Sequence, residues 1–261
     1  MPETHISTTV APSLSTDSFV SIGSQQPISA IEEAMLAAVA ASHGLVTVSE
    51  ALSLHRLCQM LPAGARILEI GSYLGASTTA IGHAILGREI DLYCLDCWHD
   101  YVAHGFIDHP WAKSAHSGNE VLLKFLETTA FIHSQLRILK GTTEQFRTLL
   151  PASFFDLIFI DAGHDYDSVL NDLLISMRAL APGGLLLGHD YHSDGHGVVA
   201  AVNQVIYESR NITVKGIIPG TSIWYAVINN PLQELVNLNA SGLPRPTDRT
   251  SVPGSPASRS L

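Results

Sequence analysis

Acidic residues mark four places along the chain where short hydrophobic segments end. Glu69 lies inside the segment "RILEIG", and Asp96, Asp161 and Asp190 each close a run of apolar residues. Continuous apolar runs of this length are typical of strands that are buried on both faces of a parallel sheet. Because ligands of open α/β sheets bind beyond the carboxyl ends of the strands, these carboxylates are candidates for binding and catalysis.

Two glycines, Gly71 and Gly75, follow the first segment, with Tyr73 between them. A loop that cradles dinucleotide phosphates has the spacing G-x-G-x-x-G, and a bulky residue at the middle position would obstruct a pyrophosphate. Glu69 would also repel phosphate, but it could attract a cationic amino-acid group, directly or through water. The pattern favours a ligand without phosphates, and its predicted contacts are Glu69, Gly71, Ser72, Tyr73, Gly75 and Ser77.

Asp96 ends the second predicted strand and follows Gly75 by about 20 residues, the spacing of a ribose-binding carboxylate. Its two oxygens match the two hydroxyls of a ribose. The third predicted strand ends just before two threonines, which would border the same crevice at the height of a base. The further residues predicted to contact the ligand are Cys97, Thr142, Thr143 and Asp161. The pattern indicates a nucleoside site with an amino-acid end.

Asp161 and Asp190 follow the fourth and fifth predicted strands. Adjacent parallel strands would bring the two carboxylates together, where they would repel each other unless a cation lay between them. Mg²⁺ or another divalent cation would suit this place and would lower the pKa of an acceptor hydroxyl. The predicted metal ligands are Asp161, His189 and Asp190.

His164 stands three residues after Asp161 and is the predicted general base, because a histidine titrates near neutral pH. A histidine bonded to the backbone is the structural alternative. His189, His192 and His196 have the spacing H-x2-H-x3-H, which leaves a zinc site open. The predicted catalytic residues are His164, Asp161 and Asp190.

Amphipathic patterns separate most of the apolar segments and predict helices over residues 75–87, 117–131, 143–150 and 166–180. Such alternation predicts an α/β fold, a doubly wound parallel sheet with helices on both faces. Two more helices are predicted before the first strand. The first is ended by Gly44, and the second is capped by Thr47 or Ser49.

The last two predicted strands, "NITVKGIIPG" and "TSIWYAVIN", are joined by a Pro-Gly turn. This connection is too short for a crossover helix, so the two strands must pair antiparallel. We therefore expect about five parallel strands with one antiparallel strand near the edge of the sheet.

The segments together resemble the class I S-adenosylmethionine-dependent methyltransferases. The resemblance rests on "LEIGSYLGAS", on Asp96, on "FDLIFIDAGHDYDSVLNDL" and on "LAPGGLLLGHDY", and it covers about residues 45–228. It is nearest to O-methyltransferases of small molecules, including sugar and macrolide types and, more distantly, the catechol type. It implies a Rossmann-like sheet of seven strands, S-adenosylmethionine as cofactor, and methyl transfer to a hydroxyl of a small polar acceptor.

The chain departs from the metal-dependent relatives at three positions. Gly163 stands where the sugar enzymes often have a second Asp, and His189 stands where they tend to have an acid before Asp190. Tyr191 replaces the Asn of the catechol type. These departures leave the assistance of a metal open.

Composition excludes several other classes of protein. The net charge is −10, and the first basic residue is Arg56, which disfavours nucleic-acid binding, a secretory signal and a mitochondrial leader. No uncharged apolar run reaches the roughly 18 residues that span a bilayer. Three cysteines without framework spacing indicate reduced thiols and a cytoplasmic location, with a redox or zinc pair of Cys94 and Cys97 as the alternative. The helices before the first strand could support a homodimer.

The chain divides into one predicted domain and two tails. Residues 1–27 and 231–261 are rich in small polar residues and are predicted to be disordered, and residues 28–230 form the methyltransferase domain. An insertion at about 98–118 is long for a loop and is predicted to be a lid over the acceptor pocket. A segment that packs on the surface is the alternative. The aromatic residues predicted to line the pocket are Trp98, Tyr101, Phe106 and Trp111.

Three other functions compete with methyl transfer. An NAD-dependent oxidoreductase would use a similar sheet, but the middle glycine of its phosphate loop is missing here. A non-catalytic S-adenosylmethionine-binding protein would not need His164 and the two aspartates beside it. A histidine-rich metal hydrolase would leave Glu69 and Asp96 without a role.

Overall fold

A computed structural model describes residues 14–23, 26–99 and 114–240 of the chain. Its seven strands form one sheet with the order β3-β2-β1-β4-β5-β7-β6. The strands are β1 Arg66–Ile70, β2 Asp91–Asp96, β3 Leu136–Lys140, β4 Phe155–Ile160, β5 Leu180–Gly188, β6 Val214–Ile217 and β7 Trp224–Ile228. The helices of the described residues are α1 Thr16–Gly23, α2 Ala30–Ser42, α3 Val48–Gln59, α4 Ala76–Ile85, α5 Gly118–Thr129, α6 Thr143–Phe146, α7 Tyr166–Ala179, α8 His196–Val202 and α9 Pro231–Ala240.

The sheet is mixed, as predicted. The pairs β1–β2, β1–β4, β2–β3 and β4–β5 are parallel, whereas β7 runs antiparallel to both β5 and β6. A tight turn joins β6 to β7, in which Thr221 N–H donates to Ile218 O at 3.1 Å and Gly220 has a φ of 78°. Pro219 and Gly220 suit the two central positions of such a turn. This Rossmann-like arrangement confirms the predicted fold class.

Strand β1 lies between β2 and β4. The chain therefore adds β2 and β3 on one side of β1 and then crosses over to add β4 and β5 on the other side. This reversal opens a crevice at the carboxyl ends of β1 and β4, where open α/β sheets bind their ligands. Strand β4 is buried along its whole length because helices cover both faces. Leu157 and Phe159 pack in the core under α1–α5, and Ile158 and Ile160 pack in the core under α7–α9.

Capping boxes start four of the described helices, and each satisfies backbone N–H groups at a helix start. Thr47, rather than Ser49, caps α3. Helix α2 ends at Ser42, and its C-cap is His43, which has a φ of 66°, so the predicted role of Gly44 as the residue that ends this helix is wrong. Gly44 serves packing instead, because a Cβ at this position would lie 2.3 Å from the Cβ of Ala76.

Both predicted tails contain folded segments. Phe19 of α1 is fully buried and its ring stacks on Tyr225, with centroids 3.7 Å apart. In α9 the buried Glu234 accepts a hydrogen bond from Ser209 at 2.8 Å. The predicted tail boundaries are therefore wrong over these two helices, because a few apolar side chains suffice to dock a short helix. Residues 1–13 and 241–261 lie outside the described part. None of the described helices is long and apolar enough to cross a membrane.

Candidate active site

A cavity of about 900 Å³ opens at the carboxyl ends of the parallel strands. Small-molecule sites commonly enclose about 300–1,000 Å³, so this one has room for more than one small ligand. The predicted ligand contacts on its wall are Gly71, Ser72, Tyr73, Ser77, Asp96, Cys97, Thr142, Thr143 and Asp161. The predicted catalytic histidine and aspartates lie on the same wall, so the structure brings both predicted sets into one cavity.

Gly71 is required where β1 meets β4. Its φ is 89°, and a Cβ at this position would lie 1.9 Å from the carbonyl oxygen of Asp161. No side chain fits such a contact, and an L-residue would also be strained at this φ. The glycine thus lets the first loop close onto the end of β4.

Asp96 organises the same loop. Its Oδ2 accepts hydrogen bonds from the backbone N–H groups of Ser72 at 2.9 Å and Tyr73 at 2.8 Å. Its Oδ1 accepts one from Trp98 N–H at 2.7 Å. The backbone of Tyr73 has a φ of 46°, a left-handed conformation that these bonds help to hold. One lone pair of Oδ1 remains for a ligand hydroxyl.

Glu69 does not reach the cavity wall, so its predicted contact with the cofactor is corrected. The side chain is fully buried, and its oxygens accept hydrogen bonds from Ser72 Oγ at 2.6 Å, Ser77 Oγ at 2.6 Å and Thr78 Oγ1 at 2.5 Å. Burial raises the pKa of Glu69, although the hydroxyls oppose the shift. The side chain of Glu69 therefore holds the loop against the start of α4 from the side that faces away from the cavity.

Gly75 also lies off the wall. It is the N-cap of α4 with a φ of 88°, and a Cβ at this position would meet the Thr129 Cγ2 at 3.0 Å and the Phe125 ring at 3.3 Å. The predicted ligand contact of Gly75 is therefore replaced by close packing of α4 against α5.

The two threonines after β3 have structural tasks as well as a place on the wall. Thr142 caps α6: its N–H donates to Gln145 Oε1 at 2.9 Å and its Oγ1 accepts from Gln145 N–H at 3.3 Å. The Thr143 side chain is buried and lies near Asp172 of α7, where it opposes the rise that burial causes in the pKa of that carboxyl. The loop after β3 is therefore fixed by its own helix and by α7.

His164 and Asp190 form an exposed pair at the other end of the cavity. His164 Nε2 lies 2.9 Å from Asp190 Oδ2. This hydrogen bond, together with the charges of Asp190 and Asp161, raises the pKa of His164. The hydrogen bonds from His164 and His189 lower the pKa of Asp190. Asp190 has a φ of 58°, an uncommon conformation for a residue other than glycine that often marks functional sites.

His189, a predicted metal ligand, is surrounded by carboxylates and lies outside the described group of side chains that could hold a metal ion. Its Nε2 lies 3.0 Å from Glu50 Oε1, and its Nδ1 lies 3.1 Å from Asp190 Oδ1 and 3.5 Å from Asp161 Oδ1. Carboxylates on both sides of the ring favour its protonated form, although the contact of Nε2 with Glu50 is an ion pair without the alignment of a hydrogen bond. Burial alone would lower the pKa of His189, but the three carboxylates raise it far above its ordinary value. The imidazolium itself relieves the repulsion between the two aspartates.

Glu50 of α3 joins this end of the cavity to distant parts of the chain. Its Oε1 accepts from Ser222 Oγ at 2.8 Å and its Oε2 from Thr47 Oγ1 at 2.7 Å. Burial opposes ionisation, but the contact with His189 and the bonds from Thr47 lower the pKa of Glu50. The capping-box spacing identifies Glu50 in the sequence as the N3 residue of a helix, and no sequence signal pairs it with His189.

Among the described residues, one group of side chains could hold a metal ion: Asp161, His164 and Asp190, whose ligand atoms lie within 4.8 Å of one another. His192 is a separate, exposed neighbour whose Nε2 is 3.5 Å from Asp190 Oδ1. His196 starts α8 and is not part of the group. The H-x2-H-x3-H spacing therefore forms no zinc site in the described structure.

Cys94 and Cys97 are free thiols with different neighbours, and Trp98 lies on the cavity wall. Cys94 is buried inside β2 with its Sγ 3.4 Å from Glu69 Oε2, whereas Cys97 Sγ lies 2.9 Å from His99 Nδ1, so the alternative of a redox pair does not hold. Trp98 is 2% exposed and its Nε1–H donates to Tyr73 O at 3.1 Å, so only a small part of the ring reaches the cavity. Tyr101, Phe106 and Trp111, and with them most of the predicted lid, lie outside the described residues.

Asp172 is a wall residue that the sequence interpretation missed. It is 6% exposed and faces the cavity from α7, where Ser168 and Asn171 accompany it. Asp165, just before the predicted helix 166–180, and Ser168 and Asp172 within it recur at helical spacing, and this pattern could have pointed to a polar face.

Comparisons with known proteins agree with this geometry. Residues 68–191 match the sequence profile of a family described as "Methyltransferase domain". No curated protein sequence matches the chain.

Solved structures with the same fold include O-methyltransferases. A putative O-methyltransferase from Klebsiella pneumoniae is 20% identical with a TM-score of 0.52, over 82% of this chain and 97% of that one. The O-methyltransferase from Bacillus cereus, in complex with S-adenosylhomocysteine, is 16% identical with a TM-score of 0.51, over 81% and 99%. The O-methyltransferase TomG of tomaymycin synthesis from Streptomyces achromogenes, in complex with S-adenosylmethionine, is 14% identical with a TM-score of 0.53, over 78% and 92%.

Proposed function

We propose that the chain, which carries a class I S-adenosylmethionine-dependent methyltransferase domain, transfers the methyl group to a hydroxyl of a small polar acceptor. The charge of the cavity is the observation that carries the proposal. Its described wall includes the carboxylates of Asp96, Glu144, Asp161, Asp172 and Asp190 and no Lys or Arg. Such a wall attracts the positive charges of a sulfonium and an amino group and repels phosphates. The histidines of the described wall whose pKa is raised, His164 and His189, already lie against carboxylates, so they offer a dinucleotide phosphate little attraction.

The loops divide the cavity into two parts with different tasks. Gly71, Ser72 and Tyr73 would border the methionine portion of the cofactor, and Asp96 would accept a ribose hydroxyl. His164 and Asp190 lie toward the carboxyl ends of β4 and β5, beside the part of the cavity left for the acceptor. Three proteins of the same fold are described as O-methyltransferases, one of them putative, which supports oxygen as the attacking atom.

His164 is the proposed general base. Its Nε2 lies 2.9 Å from Asp190 Oδ2, so the pair holds a proton on Nε2 and leaves Nδ1 as the acceptor. The acceptor oxygen forms its bond to the methyl carbon as the S–CH₃ bond breaks, and that electron pair stays on sulfur. The hydroxyl proton goes to His164 Nδ1, and Asp190 stabilises the resulting imidazolium. Most of the remaining barrier would be lowered by in-line positioning.

A divalent cation also fits the donor set of Asp161, His164 and Asp190, because two carboxylates and an imidazole suit such an ion. When bound, a cation would lower the pKa of an acceptor hydroxyl. A bound cation would also occupy the His164 nitrogen or the Asp190 oxygen that now form the hydrogen bond between these two residues. Catalysis by the base and catalysis by the metal are therefore alternatives that an experiment can separate.

The test uses S-adenosylmethionine with a labelled methyl group and a panel of phenols, catechols, sugars and matched amines, with EDTA or with Mg²⁺. We expect label in hydroxyl acceptors and an unchanged rate in EDTA. His164→Gln should lower kcat about 100-fold or more without changing the affinity for S-adenosylhomocysteine. His192→Gln is the matched control, because it removes an exposed histidine beside the same carboxylate.

Two results would overturn parts of the proposal. Label that enters only amines would contradict O-methylation while leaving the methyltransferase assignment in place. A rate that EDTA abolishes and Mg²⁺ restores would replace the base by the metal.

A further inference from the structure

His164 and Asp190 stand on two different loops, which follow β4 and β5. Their side chains lie 2.9 Å apart, yet that of His164 is 63% exposed. A contact between exposed side chains contributes little by itself, because ordering the two groups costs conformational entropy. A pair that has to move a proton therefore needs its two loops held in place by other parts of the chain.

One segment of the chain contacts both loops. It begins at Gly195, the N-cap of α8, and ends with a single π turn, Asn203–Tyr207. In this turn Glu208 N–H donates to Asn203 O at 2.9 Å, which is a hydrogen bond of the wider π type. Such turns are rare and often lie at functional sites. We call residues 195–207 the α8–π segment.

The start of the α8–π segment lies directly against the backbone of both loops. A Cβ at Gly195 would lie 2.3 Å from the carbonyl oxygen of Asp190. A Cβ at Gly197 would lie 2.2 Å from the carbonyl oxygen of His164 and 2.7 Å from the backbone nitrogen of Tyr166. No side chain fits such contacts. The two glycines therefore let α8 begin in contact with both members of the pair.

The end of the α8–π segment binds the tyrosine next to each member of the pair. Tyr191, which follows Asp190 directly, donates its hydroxyl to Asn203 Oδ1 at 2.7 Å. Tyr166, two residues after His164, donates its hydroxyl to Gln204 Oε1. The two amides are consecutive in the chain, and each accepts from a different loop. A movement of one loop relative to the other would thus break one of these bonds.

We propose that the α8–π segment positions the pair of His164 and Asp190, because it fixes the separation of their two loops. Gly197, Asn203 and Gln204 are then positioning residues, and none of them is on the described wall of the cavity. The catalytic part of the proposal rests on the proposed function, in which His164 is the general base. An error of about 1 Å in the position of a reacting group can cost about 100-fold in rate.

The kinetic test uses two variants. Tyr166→Phe/Tyr191→Phe removes both hydroxyls without adding an atom, and Gly197→Ala pushes α8 away from the loop of His164. We expect kcat to fall about tenfold in the double variant and further in Gly197→Ala, while the affinity for S-adenosylhomocysteine changes by less than about twofold. Tyr207→Phe is the matched control, because it removes a buried hydroxyl of the same π turn that has no hydrogen-bond partner in the described structure.

A second background separates positioning from general damage. In His164→Gln the proton acceptor is absent, so Tyr166→Phe/Tyr191→Phe should cause no further loss of kcat. Equal losses in the wild-type and His164→Gln backgrounds would contradict action through His164.

Crystal structures of wild type and of the variants test the geometry without any acceptor. We expect the distance from His164 Nε2 to Asp190 Oδ2 to exceed about 3.5 Å in Gly197→Ala and to lengthen in the double variant. Gly82→Ala is the control for the added methyl group, because its Cβ would meet the Ile132 side chain at 2.8 Å, away from both loops. An unchanged distance in a folded variant would overturn the proposal. A lengthened distance, with a wild type that methylates no acceptor, would overturn the proposed function and leave the positioning of the pair in place.

Discussion

The two ends of the cavity hold their carboxylates in different ways. At the cofactor end, Glu69 and Asp96 accept hydrogen bonds from hydroxyls and backbone N–H groups, all of them neutral donors. At the acceptor end, Glu50 and Asp190 face the ring nitrogens of histidines. The first end is a loop fixed by its own backbone, and the second is a cluster of charges.

The proposed function, with the cofactor at the first end and the acceptor at the second, would account for this difference. A loop that surrounds a constant cofactor benefits from rigid, neutral bonds that do not change with protonation. An end that moves a proton needs groups whose charge can change near neutral pH. We therefore expect substitutions at the first end to act by changing the shape of the loop. Substitutions at the second end should act by changing the balance of charges in the cluster.

Gly71→Ala should have the largest effect on stability and binding, because it changes the shape of the loop after β1 directly. The new Cβ would lie 1.9 Å from the Asp161 carbonyl oxygen, so the loop must move or the protein must unfold. We expect a loss of about 3–5 kcal/mol of unfolding free energy, together with the loss of S-adenosylhomocysteine binding. Gly64→Ala is the matched control, since Gly64 has a similar φ of 81° but a Cβ built there would have no atom within 4 Å. It should cost about 1 kcal/mol and leave binding intact. Equal losses in the two variants would mean that backbone strain alone matters.

Glu50→Gln should come next, because it removes a partner of the buried His189 charge. We expect a loss of about 3 kcal/mol in the free energy of unfolding, measured by urea denaturation at pH 7. Glu127→Gln is the control. It breaks the exposed pair between Glu127 and Lys124, 3.5 Å apart, and should change stability by about 0.5 kcal/mol or less. If both variants lose the same small amount, the charge cluster does not hold this end together.

Asp96→Asn should weaken binding more than it weakens folding. The amide nitrogen would face either the N–H groups of Ser72 and Tyr73 or that of Trp98, so one side of the site must open. We expect the dissociation constant of S-adenosylhomocysteine to rise about 10- to 100-fold in calorimetric titration. Asp91→Asn, at the opposite end of β2, should leave the constant unchanged. A wild-type affinity in Asp96→Asn would remove Asp96 from the cofactor site.

Asp172→Asn should have the smallest effect on the fold, and it should stabilise the protein without ligand. The pKa of Asp172 in the folded protein is raised from 3.8 to about 6, so ionisation destabilises the fold. This cost is absent below pH 3.8, grows as the pH rises to about 6 and is complete above that value. The variant should therefore gain about 1–2 kcal/mol over wild type at pH 8 and almost nothing at pH 4, by thermal unfolding at the two pH values. A loss of stability at pH 8 would indicate that Asp172 is structural.

Much of the fold could be predicted because it depends on local patterns. Apolar runs such as "FDLIFID" predict buried strands, and the Pro-Gly turn before Thr221 requires an antiparallel pair. The segments at residues 16–23 and 231–240 were missed because their helices depend on docking. Phe19 is ordered by Tyr225, which lies some two hundred residues further along the chain.

The sequence by itself determined where the cavity lies and many of the residues that line it. Strand ends in a parallel sheet converge, so Gly71, Asp96, Asp161 and Asp190 had to share one cavity. The missing middle glycine and the acidic strand ends indicated a ligand with positive charge and no phosphate. These conclusions need only residue types, their spacing and the direction of the strands.

Tertiary structure alone decided what each carboxylate bonds. Glu69 faces the hydroxyls of α4, and His189 forms an ion pair with Glu50 of α3. Asp172 reaches the cavity from α7. The physical reason is that a hydrogen bond or ion pair depends on the last few ångströms between side chains, and helix packing sets this distance. Spacing along the chain brings residues to the same edge of the sheet, whereas packing selects the partner of each one.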